Sequence, residues 1–218
     1  MVDYAAARLN MVEGQIKPNK VIDQALIDAM MAVPRERFVP ADRRGVAYVD
    51  EDVAIGSRRV LMEPRVLGRL LNDARITPVS RVLIVGAGTG YSSAIVARLA
   101  AKVVALEEDK ALLGTARGAL SELGIRSVAL AEGPLAEGWP AEGPYDVILI
   151  DGEVAEVPAA LIAQLAPGGR LLTVVDDGNG VGRAMLVSAV DGVASQRPLF
   201  DATTAMLPGF ERKPAFQF

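Results

Sequence analysis

The chain has 218 residues, 51% of them hydrophobic and 23% charged, which is ample for one compact core and too apolar for a disordered chain. Its 23 basic and 27 acidic residues give a net charge of −4, so the charge balance offers no reason to expect binding to nucleic acid or to an anionic membrane. Cysteine and histidine are absent, which excludes disulfides, thiolate nucleophiles, zinc sites built on Cys or His, Ser-His-Asp triads and imidazole acid–base chemistry.

Met1-Val2-Asp3-Tyr4 lacks the basic region and apolar run of a targeting segment, and the uncharged stretch 82–97 is broken by glycines. A cytoplasmic protein without a membrane span is expected. Val21, Ile22, Leu26, Ile27, Met30 and Met31 recur at helical spacing up to the stop at Pro34. An irregular stretch follows to Met62. Pro64 suits the first turn of a helix whose apolar face is Val66, Leu67, Leu70, Leu71 and Ala74. From Arg81 strands and helices alternate. Strands are predicted at 82–85, 103–106, 127–130, 145–150 and 170–175, and helices at 92–101, 110–123 and 158–165. Residues 185–190, 193–200 and 215–218 are candidates for further strands, some antiparallel. Repeated β-α units imply an α/β fold with a doubly wound, mostly parallel sheet.

The apolar run Val82-Leu83-Ile84-Val85 enters Gly86-Ala87-Gly88-Thr89-Gly90, and a helix can start at Ser92. Glycines in a strand–turn–helix context let a backbone approach a ligand closely. The spacing is G-x-G-x-G. A dinucleotide fingerprint would need glycine where Tyr91 stands. Glu107 lies 17 residues beyond Gly90, at the end of the second strand of this unit, where a carboxylate can accept from both ribose hydroxyls. This order fits an adenosine-bearing cofactor and favours S-adenosylmethionine over NAD. The alternative for the glycines is a tight turn alone, and Glu108 and Asp109 also suit a helix N-terminus. Glu132 and Gly133 follow the third strand, where the carboxylate either accepts from an adenine amino group or is a solvated loop acid. The candidate cofactor set is Gly86, Ala87, Gly88, Thr89, Gly90, Glu107, Glu108, Glu132 and Gly133.

Further motifs resemble one family. They are Met11-Val12-Glu13-Gly14-Gln15, Val33-Pro34-Arg35-Glu36-Arg37-Phe38-Val39-Pro40, Ala47-Tyr48-Val49-Asp50, Ile55-Gly56, Gly138-Trp139, Val157-Pro158 and Gln164-Leu165-Ala166-Pro167-Gly168-Gly169. Together with the glycine loop and residues 145–150, they make the chain resemble the protein-L-isoaspartate (D-aspartate) O-methyltransferase family. The V-P-R-E-x-F-V-P type segment is the specific part. The resemblance implies a Rossmann-like seven-stranded methyltransferase fold with added N-terminal helices. It divides the chain into residues 1–78, a helical segment and lid packed on the core, and residues 79–218, the core itself. It also implies methyl transfer from S-adenosylmethionine to the carboxylate of isoaspartyl residues in a damaged protein or peptide. In the same resemblance Glu132 replaces an Asp.

Three departures stand out. Leu61-Met62-Glu63-Pro64 replaces an I-S-Q-P pattern, so Met62 stands where a serine is thought to position the substrate carboxylate. Ile84 replaces an acid before the glycine loop, and Asp151-Gly152-Glu153 replaces T-A-A. Leu61, Met62, Glu63 and Asp151 are the candidate substrate-side residues, and no catalytic side chain is assigned. Arg58 and Arg59 are either a carboxylate clamp or solvated surface arginines. Three other readings follow. One is a methyltransferase with a different acceptor, one version of which places Mg²⁺ between Asp151 and the turn Asp176-Asp177-Gly178-Asn179. Another is an S-adenosylmethionine-binding protein without catalysis, and the last is an NAD-binding module. No resident metal is expected, and the sequence is silent on oligomeric state.

Overall fold

A computed structural model describes residues 2–56, 58–176, 178, 181–190 and 193–212. The expected strand at 215–218, and Asp177 and Asn179 of the Mg²⁺ reading, lie outside the described residues.

The main sheet has seven strands: β3 (Arg81–Val85), β4 (Lys102–Glu107), β5 (Val128–Glu132), β6 (Tyr145–Val154), β7 (Leu165–Val175), β8 (Arg183–Val190) and β9 (Val193–Asp201). Their order is β5-β4-β3-β6-β7-β8-β9. The first five are parallel, and β8 and β9 run antiparallel on the far edge. The continuous apolar run in β3 is explained by burial on both faces. Val82 and Ile84 join the core on one side of the sheet, and Leu83 and Val85 join the core on the other. The chain leaves β3 toward β4 on one side and returns at β6 on the other. The carboxyl ends of β3 and β6 therefore flank the point where strand order reverses, the usual ligand crevice of such sheets.

The helices are α1 (Tyr4–Met11), α2 (Gln24–Ala32), α3 (Pro64–Ala74), α4 (Tyr91–Val96), α5 (Lys110–Glu122) and α6 (Ala159–Ile162). Aspartates cap three of them: Asp3 accepts from Ala6 N, Asp23 from Ala25 N and Leu26 N, and Asp109 from Ala111 N and Leu112 N. The apolar stripe expected for α3 is buried throughout, and Asn72 Oδ1 accepts from the backbone of Ile22 and Asp23, tying the start of α2 to α3.

The stretch before Met62 is not irregular throughout. It holds a short antiparallel hairpin, β1 (Val53–Gly56) and β2 (Arg59–Leu61), in which Val53 faces Leu61 and Gly56 faces Arg59. Helices α4 and α6 are shorter than their expected spans. Strand β6 runs past Ile150 to Val154 through an irregular register with β7. Among the described residues no helix is long and apolar enough to cross a membrane.

Candidate active site

The loop from β3 to α4 is held from two directions. Gly86 N and Ala87 N both donate to Leu106 O at 3.0 Å, which binds the loop to the end of β4. Thr89 Oγ1 donates to Phe38 O at 2.6 Å, which ties it to the N-terminal segment. Gly86, Gly88 and Gly90 have φ of +75, +55 and +95°, the left-handed region where a side chain is strained, so the glycine spacing is a backbone requirement. Ala87 and Thr89 are buried between them.

Glu107, the last residue of β4, is fully buried. Its carboxylate is the centre of the site. Oε1 accepts from Glu108 N and Asp109 N, both at 3.0 Å, and Oε2 accepts from Gly88 N at 2.7 Å. The carboxylate thus bridges the glycine loop and the end of its own strand. It is also clamped by Arg59, whose Nη1 donates to Oε1 at 2.7 Å and whose Nη2 donates to Oε2 at 2.8 Å. Nη2 further reaches Gly86 O at 3.0 Å. Arg59 is therefore not a solvated surface arginine. Its side chain is 4% exposed, and the carboxylate it clamps is an internal one. Arg58, by contrast, is largely exposed and pairs with Glu211 at 2.7 Å.

The remaining cofactor candidates sit on the same rim. Glu132 pairs in register with Glu107 across β4 and β5. Its side chain is half exposed and salt-bridges Lys110 at 3.2 Å. Gly133 donates to Glu107 O and lies against Trp139. Glu108 is exposed, and partial desolvation together with the Glu107 charge raises its pKa.

Of the substrate-side candidates, Leu61 and Met62 are held by Arg35, a fully buried guanidinium. It donates to Ala47 O at 2.6 Å, to Met62 O at 2.8 Å and to Leu61 O at 3.4 Å, and it stacks 4.9 Å over the Tyr91 ring. Burial lowers its pKa. Leu61 and Met62 are both buried, so Met62 acts as core filling here. The Glu63 carboxylate turns outward to Arg65 at 2.9 Å, and desolvation raises its pKa. Asp151 lies within β6, half-buried, with its pKa pushed up to about 6 by burial. Ser92, Arg59 and Arg35 oppose that shift. Glu153 instead faces the C-terminal segment. Its Oε2 accepts from Thr204 N at 3.4 Å, and its backbone bonds Ala205 and Leu207.

Sequence reasoning missed four residues at this site. They are Arg59 as a buried partner of Glu107, Arg35 as the organiser of 61–62, and Ile55 and Leu207, whose side chains stand against Gly88 and Gly86. No pattern in the sequence marks Arg59, because the three-residue strand that turns Arg59 and Leu61 inward is too short to alternate visibly. The chemistry of the donor set fits an adenosyl group. It combines a buried carboxylate for a diol with a loop whose Gly86, Gly88 and Gly90 carry no Cβ. In this conformation the same groups are satisfied by the protein's own side chains. A separate surface cleft of about 920 Å³, lined by Val157, Val175, Arg183, Met185 and Arg212, includes none of these residues.

Comparison with known proteins gives a consistent picture. Residues 7–199 match the family model described as Protein-L-isoaspartate(D-aspartate) O-methyltransferase (PCMT). The chain is 42% identical over 170 residues to the protein-L-isoaspartate O-methyltransferase of Methylorubrum extorquens (strain PA1), covering 78% of this chain and 74% of that protein. It is 39% identical over 165 residues to the protein of the same name from Gloeobacter violaceus, covering 76% and 80%. A solved protein-L-isoaspartate O-methyltransferase superposes with a TM-score of 0.83 at 24% identity over 93% of this chain and 66% of that one. A Plasmodium falciparum beta-aspartate methyltransferase in complex with S-adenosyl-L-homocysteine superposes with a TM-score of 0.77 at 20% identity, covering 95% and 99%. At these identities the two structures speak to the fold: a Rossmann-like methyltransferase sheet of seven strands.

Proposed function

The chain belongs to the protein-L-isoaspartate(D-aspartate) O-methyltransferase family, and from that premise we propose that it transfers a methyl group from S-adenosylmethionine to the carboxylate of L-isoaspartyl residues in damaged proteins. The observation that carries this reading is the family match over residues 7–199, which includes the N-terminal segment as well as the glycine loop. When bound, S-adenosylmethionine supplies an electrophilic methyl on a sulfonium.

In this reading Glu107 would accept from the ribose hydroxyls, and Gly86, Gly88 and Gly90 would hold the rest of the nucleoside. Glu132, at the tip of the next strand, would accept from the adenine amino group. Arg35 fixes the 61–62 backbone against Tyr91 and so sets the wall of the acceptor site. The acceptor needs little chemical help. A carboxylate has a pKa of roughly 4 and is already ionised at neutral pH, so no general base is required. The protein must align the reacting groups and exclude water, effects worth ~7–11 kcal/mol. A chain without histidine or cysteine is competent for that task.

The test is methyl transfer from labelled S-adenosylmethionine to an isoaspartyl peptide and to the same peptide with ordinary aspartate. Base-labile label on the isoaspartyl peptide alone is expected. No label on either peptide, with cofactor binding verified in the same preparation, refutes the reading. Two observations favour a second one, a different acceptor: Met62 offers no strong hydrogen-bond donor, and Asp151 sets a half-buried carboxylate where the family pattern has a threonine. Base-stable label on a non-carboxylate acceptor is its signature.

A further inference from the structure

The Glu107 carboxylate already accepts five hydrogen bonds, more than its roughly four lone-pair positions hold singly. Three donors are backbone N–H groups of the glycine loop and the strand end, so they remain whatever binds there. The other two belong to Arg59. A ribose diol that hydrogen-bonds Glu107 needs the positions that Arg59 holds. The space over the glycines is filled as well. A Cβ on Gly86 would stand 3.0 Å from Leu207 Cδ1, and one on Gly88 would stand 2.9 Å from Ile55 Cδ1. Leu207 also covers Gly152, whose Cβ would fall 2.5 Å from its Cγ. Ile55 and Arg59 come from the two strands of one short hairpin.

Given that an adenosyl cofactor binds at this loop, we propose that Arg59 is a built-in competitor for the cofactor ribose, which must leave Glu107 before the cofactor seats and which thereby sets its affinity. The displaced guanidinium has a second carboxylate nearby. Asp151 directly follows Ile150, which pairs with Val85, the residue before Gly86. Arg59 already touches the Gly86 carbonyl, and its charge already acts on Asp151. Movement between the two acids keeps the cation paired. The apparent dissociation constant is then the intrinsic one divided by the fraction of molecules in which Arg59 has left.

The experiment is calorimetric titration of S-adenosylhomocysteine into the full-length wild type, R59M and R59K. R59M keeps the length of the side chain without donors. R59K keeps a cation on Glu107 but loses the two-pronged fork. The expected result is binding at least tenfold tighter in R59M and at least threefold tighter in R59K. Mere structural damage at a binding site weakens binding, so the sign separates the two causes. If R59M does not fold, R59K carries the test alone. Affinity equal to or weaker than wild type in the folded variants overturns the proposal and leaves cofactor binding standing. No binding by any of the three removes the cofactor reading and this proposal with it.

Discussion

Removing either partner of the Arg59–Glu107 pair should destabilise the fold, and by unequal amounts. The pair is bidentate at 2.7 and 2.8 Å, with side chains 4% and 0% exposed, so solvent screens it little. Breaking a buried pair from one side leaves an uncompensated charge and costs about 3–5 kcal/mol. R59M leaves the Glu107 carboxylate with three backbone donors, from Gly88, Glu108 and Asp109, and belongs at the low end, about 3 kcal/mol. E107Q leaves the guanidinium with Gly86 O and turns an amide N–H₂ toward Arg59 and toward either Gly88 N or the N–H groups of Glu108 and Asp109, all of them donors. That puts it at the high end, about 5 kcal/mol.

Such losses are a large share of the roughly 5–15 kcal/mol that holds a domain together. The variants are therefore best compared by urea unfolding at low temperature, followed by the fluorescence of Trp139, the single tryptophan. In the double variant R59M/E107Q no charge is left buried. Its loss should fall short of the sum of the single losses by at least about 2 kcal/mol, as expected for residues in direct contact. Additivity within about 0.5 kcal/mol, or E107Q milder than R59M, would refute the reasoning.

Two further outcomes follow from other sites. The Asp151 carboxyl has its pKa pushed up to about 6 from an ordinary 3.8, chiefly by burial, so the folded state holds its proton to higher pH than the unfolded state does. Stability from this group is full below pH 4 and falls as pH rises toward 6. Asp151→Asn should therefore stabilise the protein at pH 7.5 by up to about 3 kcal/mol and do nothing at pH 4, and unfolding midpoints that do not diverge with pH would count against it. Gly138 has φ +66° and ψ −152°, a region essentially reserved for glycine, and a Cβ there would lie 2.5 Å from Gln164 Nε2. Gly138→Ala should cost about 1–3 kcal/mol from the backbone alone, with the loss of the Gln164 Oε1 bond to Trp139 N on top, read as a lower urea midpoint.

The parts of the fold that were legible in the sequence are those in which local pattern and tertiary role coincide. The run 82–85 is apolar because β3 is covered on both faces, and the glycines follow because the turn needs positive φ. The parts that were not legible lack such a coincidence. In Tyr4–Met11 only Met11 is fully buried, so α1 carries almost no apolar stripe. The hairpin strands have four and three residues and include Gly56 and Arg59, too short and too polar for an alternating signal.

The candidate site divides in the same way, and the division explains why the glycine loop alone underdetermines the chemistry. Position is local information. Glu107 ends a strand a fixed distance after the loop, and any chain of this pattern delivers a carboxylate there. Partnership is not local, because the charge that satisfies Glu107 comes from 48 residues upstream, out of a hairpin with no strong pattern of its own. An arginine next to another arginine looks like solvated surface until the register of β2 turns one outward to Glu211 and the other inward to Glu107. The same carboxylate can thus serve a ribose or an internal cation with no change in the loop motif. In the proposed competition, what decides between them is the free-energy difference between two bound partners of one buried acid, set by Arg59, Ile55 and Leu207 rather than by the glycines.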